Sequence, residues 1–191
     1  MIDLSFKEFQ GLLKNLQFDN QSSYVQAYPE FIRYFQNVPI IEKHHLVIAG
    51  HFTYGWMPTI LKLDLSQSEH TLKLLNDAKI GQALTFKDLG YFKGKINNSL
   101  VGVSKLLHFI SPQNYAIWDS RIYKAIFNLE PYDYRIGNVK FYTEYLELLS
   151  KLARHKEYLQ IHQNIEEKVG YKLTSLRAIE MVIFENSKFK N

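Results

Sequence analysis

Apolar residues in this chain recur at helical spacing, and five prolines cut the pattern into short lengths. Phe6, Phe9, Leu13 and Leu16 follow at i, i+3, i+7 and i+10 behind a Ser5-to-Glu8 capping box. Phe141, Tyr145, Leu148, Leu149 and Leu152 form a second stripe, and Leu176, Ile179 and Ile183 a third. Start signals also stand at Ser66-x-x-Glu69 and Thr85-x-x-Asp88. Pro29, Pro39, Pro58, Pro112 and Pro131 punctuate the first two thirds, and none follows. From residue 138 the helices read as charged and amphipathic, broken only by Gly170. Without a sustained heptad they are expected to pack on the body of the protein rather than on a coiled-coil partner. His45-Leu46-Val47-Ile48-Ala49 is apolar but neither alternates nor leads into a hairpin turn, so evidence for strands is thin. The spacing predicts an all-α fold of about eight to ten helices. It would form a single domain over residues 1–191, with lobes at 1–60 plus 120–191 and at 61–119 around a cleft.

With 191 residues, 46% hydrophobic and 15% aromatic, the chain can fill a core. It has no cysteine. That excludes disulfide frameworks, thiolate zinc sites, iron–sulfur clusters and cysteine nucleophiles, and fits a reducing compartment. Met1 to Glu8 lack the basic-then-apolar layout of a secretory signal, and no apolar run reaches the ~18–20 residues that span a bilayer. The expectation is a cytoplasmic protein with no membrane partner. No G-x-G-x-x-G, P-loop, H-E-x-x-H or G-x-S-x-G pattern occurs, which argues against nucleotide-cofactor, zinc-peptidase and serine-hydrolase chemistry. His44 and His51 share a helical face but stand roughly 10 Å apart along the axis, too far for one ion. No metal and no cofactor are expected.

The net charge is +4, and the whole excess falls between residues 81 and 125. Lys87, Lys93, Lys95, Lys105, Arg121 and Lys124 stand there against Asp88 and Asp119. Such a cluster attracts polyanions, nucleic acid above all, although a solvated lysine-rich face has the same composition. Within it, residues 93–112 read as helix, tight turn and a new helix starting near Gly102. Leu100-Val101-Gly102-Val103 would be an apolar hairpin with the glycine at its tip. Amides at such a turn and at the following helix N-terminus can hold a phosphate. Lys105 would sit in the first turn of that helix. There the macrodipole disfavours a cation and raises the neutral fraction that a nucleophilic amine needs. A lysine contacting phosphate or solvent fits the position too. Asp119 is typed as an N-cap accepting from the amide of residue 121 or 122. The helix climbs roughly 8 Å from Lys105 to Ile110. The next eight residues can stretch about 26 Å. Asp119 can therefore fold back beside Lys105. Side chains that could wall a base pocket include Phe109 and Trp118, and Phe52, Tyr54, Trp56 and Met57 around Gly55 and Pro58, although ordinary core packing is the commoner role of any one of them.

Gly102-Val103-Ser104-Lys105 followed by Ile117-Trp118-Asp119-Ser120-Arg121-Ile122 resembles the helix-hairpin-helix DNA glycosylase superfamily, and its 8-oxoguanine glycosylase-like branch in particular. The resemblance covers about residues 95–125. It implies a helical bundle in which Lys105 is the catalytic lysine and Asp119 the catalytic aspartate. Gly102, Val103 and Ser104 would hold the DNA backbone with Lys93, Lys95 and Arg121, and Phe109 and Trp118 would line the base pocket. The partner would be double-stranded DNA, bound by a monomer without a nucleotide cofactor. The activity would be excision of an oxidised purine such as 8-oxoguanine, with or without strand cleavage by β-elimination. Val101 stands where the family's hairpin has proline, and Ser104 where it has a second glycine. The 14 positions from Lys105 to Asp119 are fewer than usual. A helix-hairpin-helix module that binds DNA without chemistry, inside a repair or defence assembly, is the alternative reading.

Overall fold

The computed structural model describes residues 4–14, 16–55 and 60–187. These form eleven helices, with no strand beyond an isolated bridge between Leu63 and Ile96. The helices are α1 (Phe6–Leu12), α2 (Ser23–Gln36), α3 (Lys43–Gly55), α4 (Ser68–Lys79), α5 (Phe86–Lys95), α6 (Leu100–Ile110), α7 (Ser120–Phe127), α8 (Asp133–Ile136), α9 (Val139–Ala153), α10 (Tyr158–Val169) and α11 (Ser175–Ser187). The all-α expectation holds, and the apolar run His45–Ala49 lies inside α3.

Local chemistry explains most boundaries. Both expected capping boxes form: the Glu8 carboxylate accepts the Ser5 N–H at 2.8 Å, and Asp88 accepts that of Thr85 at 2.8 Å. The Ser66 start does not. There the Ser66 N–H donates to Asp64 Oδ1 at 2.8 Å, and α4 begins two residues later behind Gln67, whose φ is +55°. The C-terminal helices are interrupted at residues 154–157 as well as at Gly170, which takes φ +89° to close α10.

Two helices organise the packing. α6 is surrounded by α2, α3, α4 and α5, and α11 by α1, α7, α9 and α10. Residues 23–55 thus pack around the same helix as α4 and α5. Every residue of α6 is buried except Val101 and Lys105, one turn apart on one face. Among the described residues, that face is the side on which α6 is not enclosed.

Candidate functional site

Lys105 and Asp119 line one cavity of about 550 Å³, formed where α6, the start of α7, the start of α2 and α11 meet. Val25, Val101, Ile117, Met181 and Phe184 give it apolar walls. Its charged groups are Lys105, Asp119 and Arg121, with Asp19 ahead of α2 and Arg177, Glu180 and Glu185 on α11.

The segment between α6 and α7 determines where Asp119 stands. Residues 115–118 are buried although they are not helical, so their backbone polar groups need partners inside the protein. Side chains supply them. Tyr142 and Tyr145 of α9 donate to the carbonyls of Ala116 (3.0 Å) and Ile117 (3.1 Å). Ser104 Oγ accepts the Trp118 N–H at 3.0 Å while its hydroxyl donates to the Val101 carbonyl at 2.8 Å. His108 Nδ1 lies 2.7 Å from the Tyr115 carbonyl, a contact that requires a proton on Nδ1. Nε2 is then left to accept from Tyr28 Oη at 2.9 Å. Full burial lowers the His108 pKa to about 3, with Arg177 adding to the effect, so the ring is neutral. The chain leaves this tether at Asp119, whose Oδ1 accepts the Ile122 N–H at 2.9 Å, the cap expected from sequence.

Burial is the main cause lowering the Lys105 pKa. The Asp119 and Glu180 carboxylates oppose it, and Arg177 reinforces it. This corrects the macrodipole argument: α6 starts at Leu100, so Lys105 lies in its second turn, past the strongest field of the helix end. Arg177 and Glu180 were not singled out in the sequence as site residues. They form a buried ion pair one turn apart on α11, and the Arg177 guanidinium also sits 4.6 Å from the centre of the Tyr28 ring. Burial raises the Glu180 pKa to about 7, against the lowering effect of Arg177 and with a further rise from Asp119. A charged i,i+3 pair with apolar residues on all sides was the available signal, since Leu176, Ile179, Met181 and Ile183 leave it no obvious solvent face.

The hairpin lies elsewhere than expected. The turn between α5 and α6 is Ile96-Asn97-Asn98-Ser99, with φ of +52° and +51° at the two asparagines. Gly102 is inside α6, where a Cβ would come within 2.7 Å of Tyr54 Oη. Its N–H donates to Ser99 Oγ at 3.1 Å, and that of Val103 to the Ser99 carbonyl at 3.1 Å. Ser104 is fully buried. Those residues therefore present no open amide cradle. Lys95 pairs with Asp64 at 2.7 Å, Lys124 with Glu130 at 3.4 Å, and Lys93 donates to the Gly137 carbonyl at 2.9 Å. Two of the six cations of the basic stretch are thus paired with carboxylates outside it. Arg121, exposed and over the Phe184 ring at 5.4 Å, borders the Lys105 cavity. Lys93 lines a second cavity of about 690 Å³, which Asp119 also borders.

No family model, no curated protein and no solved structure matches this chain. The resemblance to helix-hairpin-helix glycosylases therefore rests on residues 95–125 and, beyond them, on size, all-α character and the helical segment 176–181.

Phe109 and Trp118 are core residues, not pocket walls. Phe109 packs edge-on to Phe31, and the Trp118 indole N–H donates to the Ile136 carbonyl at 2.9 Å. The aromatic side chains at the cavity are Tyr24 and Phe184. Phe52 stacks on Phe31 at 4.7 Å, and Tyr54 packs at Gly102. Trp56, Met57 and Pro58 lie outside the described residues. Potential ligand atoms of Glu42, His44 and His45 come within 4.8 Å of one another. His45 Nδ1 already accepts the Glu42 N–H at 3.0 Å, so a neutral ring there carries its proton on Nε2, the other ligand position. No described helix is long and apolar enough to cross a membrane.

Proposed function

We propose that this chain is a DNA glycosylase that excises an oxidised purine, 8-oxoguanine being the first to test, with Lys105 as nucleophile and Asp119 as its electrostatic partner. The observation that carries the reading is that Lys105 and Asp119 border one cavity, with the lysine half-buried and its pKa lowered chiefly by that burial. A module that only binds DNA has no need to bury its lysine beside an aspartate. The cavity of about 550 Å³ lies within the roughly 300–1,000 Å³ of small-molecule pockets. It offers Phe184 and Tyr24 as flat apolar surfaces for a nucleotide turned out of the duplex.

In this reading the neutral Lys105 amine attacks C1′ as the glycosidic bond breaks and its electron pair leaves with the base. Asp119 stabilises the positive charge that develops on the sugar, using the oxygen not engaged by the Ile122 amide. The lysine nitrogen then passes a proton to the ring oxygen as the C1′–O4′ bond opens, which gives a Schiff base. β-Elimination of the 3′ phosphate can follow.

The test is borohydride trapping on duplexes containing either 8-oxoguanine opposite cytosine or a preformed abasic site. Wild type is expected to form a covalent adduct with both, and Lys105→Gln with neither. Asp119→Asn keeps an efficient N-cap, so its fold should survive while adduct formation on 8-oxoguanine falls at least tenfold. Salt-sensitive binding without any adduct would favour the non-catalytic module.

A further inference from the structure

Glu180 is the one carboxylate of the cavity that is almost wholly excluded from water, with a relative exposure of 2%. Asp119, by contrast, is half-buried and holds a helix cap. Charged and titratable groups face Glu180 from each surrounding element: Arg177 on its own helix, Lys105 on α6, Asp119 at the head of α7, Tyr28 on α2, Tyr145 on α9, and Tyr171 between α10 and α11. Arg177 anchors the carboxylate, but that guanidinium is itself buried and its Nε has no hydrogen-bond partner. A buried carboxylate held this way is a weak anion and a ready proton acceptor. Lys105, across the cavity, must shed a proton before it can act as a nucleophile.

We propose that Glu180 is the proton-transfer residue of this site, taking a proton from Lys105 and returning it to the departing base. The proposal rests on the glycosylase reading for its second half, and on the cavity alone for its first. The Lys105 ammonium gives one proton to the Glu180 carboxylate, directly or through one water, leaving a neutral amine and a carboxylic acid. The amine bonds to C1′ while the C1′–base bond breaks, and its electron pair goes to the base. Glu180 protonates that base and is a carboxylate again. The positive charge originally on Lys105 ends on the nitrogen now attached to the sugar. Burial pulls the lysine down and the glutamic acid up, which brings the two groups closer in proton affinity.

Two measurements on the full chain separate this proposal from the reading beneath it. The first needs no DNA: pulse acetylation with acetic anhydride across pH 6–10, followed by mass spectrometry of the Lys105 peptide. Replacing Glu180 by a neutral isostere removes the anion that favours protonated Lys105. In Glu180→Gln the midpoint of Lys105 labelling should therefore fall by about one pH unit, while Glu180→Asp stays near wild type. Lys95, ion-paired and largely covered, reports in the same spectra that the variant is folded. An unchanged Lys105 midpoint would overturn the proposal.

The second is the rate of adduct formation on the two duplexes. Glu180→Gln should lose on the order of a hundredfold on 8-oxoguanine, where a base must be protonated. It should stay within about threefold on the abasic site, where there is no base to protonate and where loss of the Glu180 anion lowers the Lys105 pKa enough for water to take the amine's proton. Equal losses on both would make Glu180 merely structural and sink the proposal. Wild type that traps on neither duplex would refute the glycosylase reading and base protonation with it, and the acetylation profile would then decide the Lys105–Glu180 exchange by itself.

Discussion

Removing the Arg177 guanidinium should destabilise the protein in a strongly pH-dependent way. Arg177→Met retains most of the side chain's volume but strips the counter-charge from Glu180, which is 2% exposed. Breaking a buried ion pair by deleting one partner costs about 3–5 kcal/mol when the remaining group must stay charged. Glu180 need not stay charged, because its folded-state pKa is raised from the ordinary 4.5 to about 7. The folded chain thus holds this proton more tightly than the unfolded chain does. The contribution favours folding below about pH 4.5 and is lost as pH rises through 7. Without Arg177 the folded-state value moves higher still, so the penalty grows on the alkaline side. The expectation is a loss of about 2.5 kcal/mol at pH 8, because a proton that wild-type Glu180 releases near pH 7 and the variant keeps adds at most about 1.4 kcal/mol one pH unit higher; the fall in Tm is roughly 5–10 °C for a chain of this length. At pH 5 Glu180 is protonated with or without its partner. The loss should then shrink to about 1 kcal/mol, the value of the contact between Arg177 and the Tyr28 ring. Urea unfolding followed by tryptophan fluorescence at both pH values measures the two numbers. Adding Glu180→Leu to Arg177→Met should recover most of the loss at pH 8, because an apolar pair can replace a buried ionic one. Equal losses at pH 5 and pH 8, or a double variant as unstable as the single one, would refute the reasoning.

Two further outcomes follow from the tether behind the site. Ser104→Ala deletes the acceptor for the buried Trp118 N–H and should cost about 1–3 kcal/mol in chemical denaturation; a change below about 0.5 kcal/mol would mean that the contact is dispensable. His108, whose pKa is lowered to about 3, should show ring proton shifts in NMR that stay constant from pH 8 down to about 4. A depressed histidine resists protonation in the folded state only, so its contribution to stability is complete above the ordinary value of 6.5 and is lost as pH falls toward 3. A ring titrating near 6 would show that it is not buried as described.

How much of this was legible depends on how local each cause is. The helices follow from apolar spacing, and the boxes at Ser5 and Thr85 from contacts between residues three apart. Asp119 was legible as a cap for the same reason, and its return toward Lys105 as a matter of chain reach. Gly102 misled because a lone glycine reads as a turn. The turn is made instead by Asn97 and Asn98, which tolerate a left-handed backbone, and Ser99 then caps the helix. What the glycine provides is room for Tyr54 of α3, a fact of tertiary packing. Phe109 and Trp118 stand near the site in sequence but face the core. Arg177 and Glu180 were missed because an i,i+3 pair of opposite charges ordinarily marks a solvent-exposed helix face. Only the enclosure of α11 by four other helices makes it a buried pair.

The same enclosure gives the site its character. Asp119 hangs at the end of a buried segment whose carbonyls are fixed by Tyr142 and Tyr145 and whose amide at Trp118 is fixed by Ser104. Lys105 follows Ser104 directly on α6, so one residue both anchors the aspartate's approach and adjoins the lysine in the chain. Glu180 is carried by α11, which packs against α7 just beyond Asp119 and against α9, the source of both tyrosines. Lys105, Asp119 and Glu180 thus border one cavity carried by packed helices rather than by three surface loops. Their spacing is set by packing that resists displacement. Such preorganisation is what charge stabilisation at a breaking bond requires, because the dipoles and charges need not reorient as the reaction proceeds. It also ties chemistry to stability: the buried carboxylate that makes Glu180 a ready proton acceptor is the group whose ionisation weakens the fold above neutral pH.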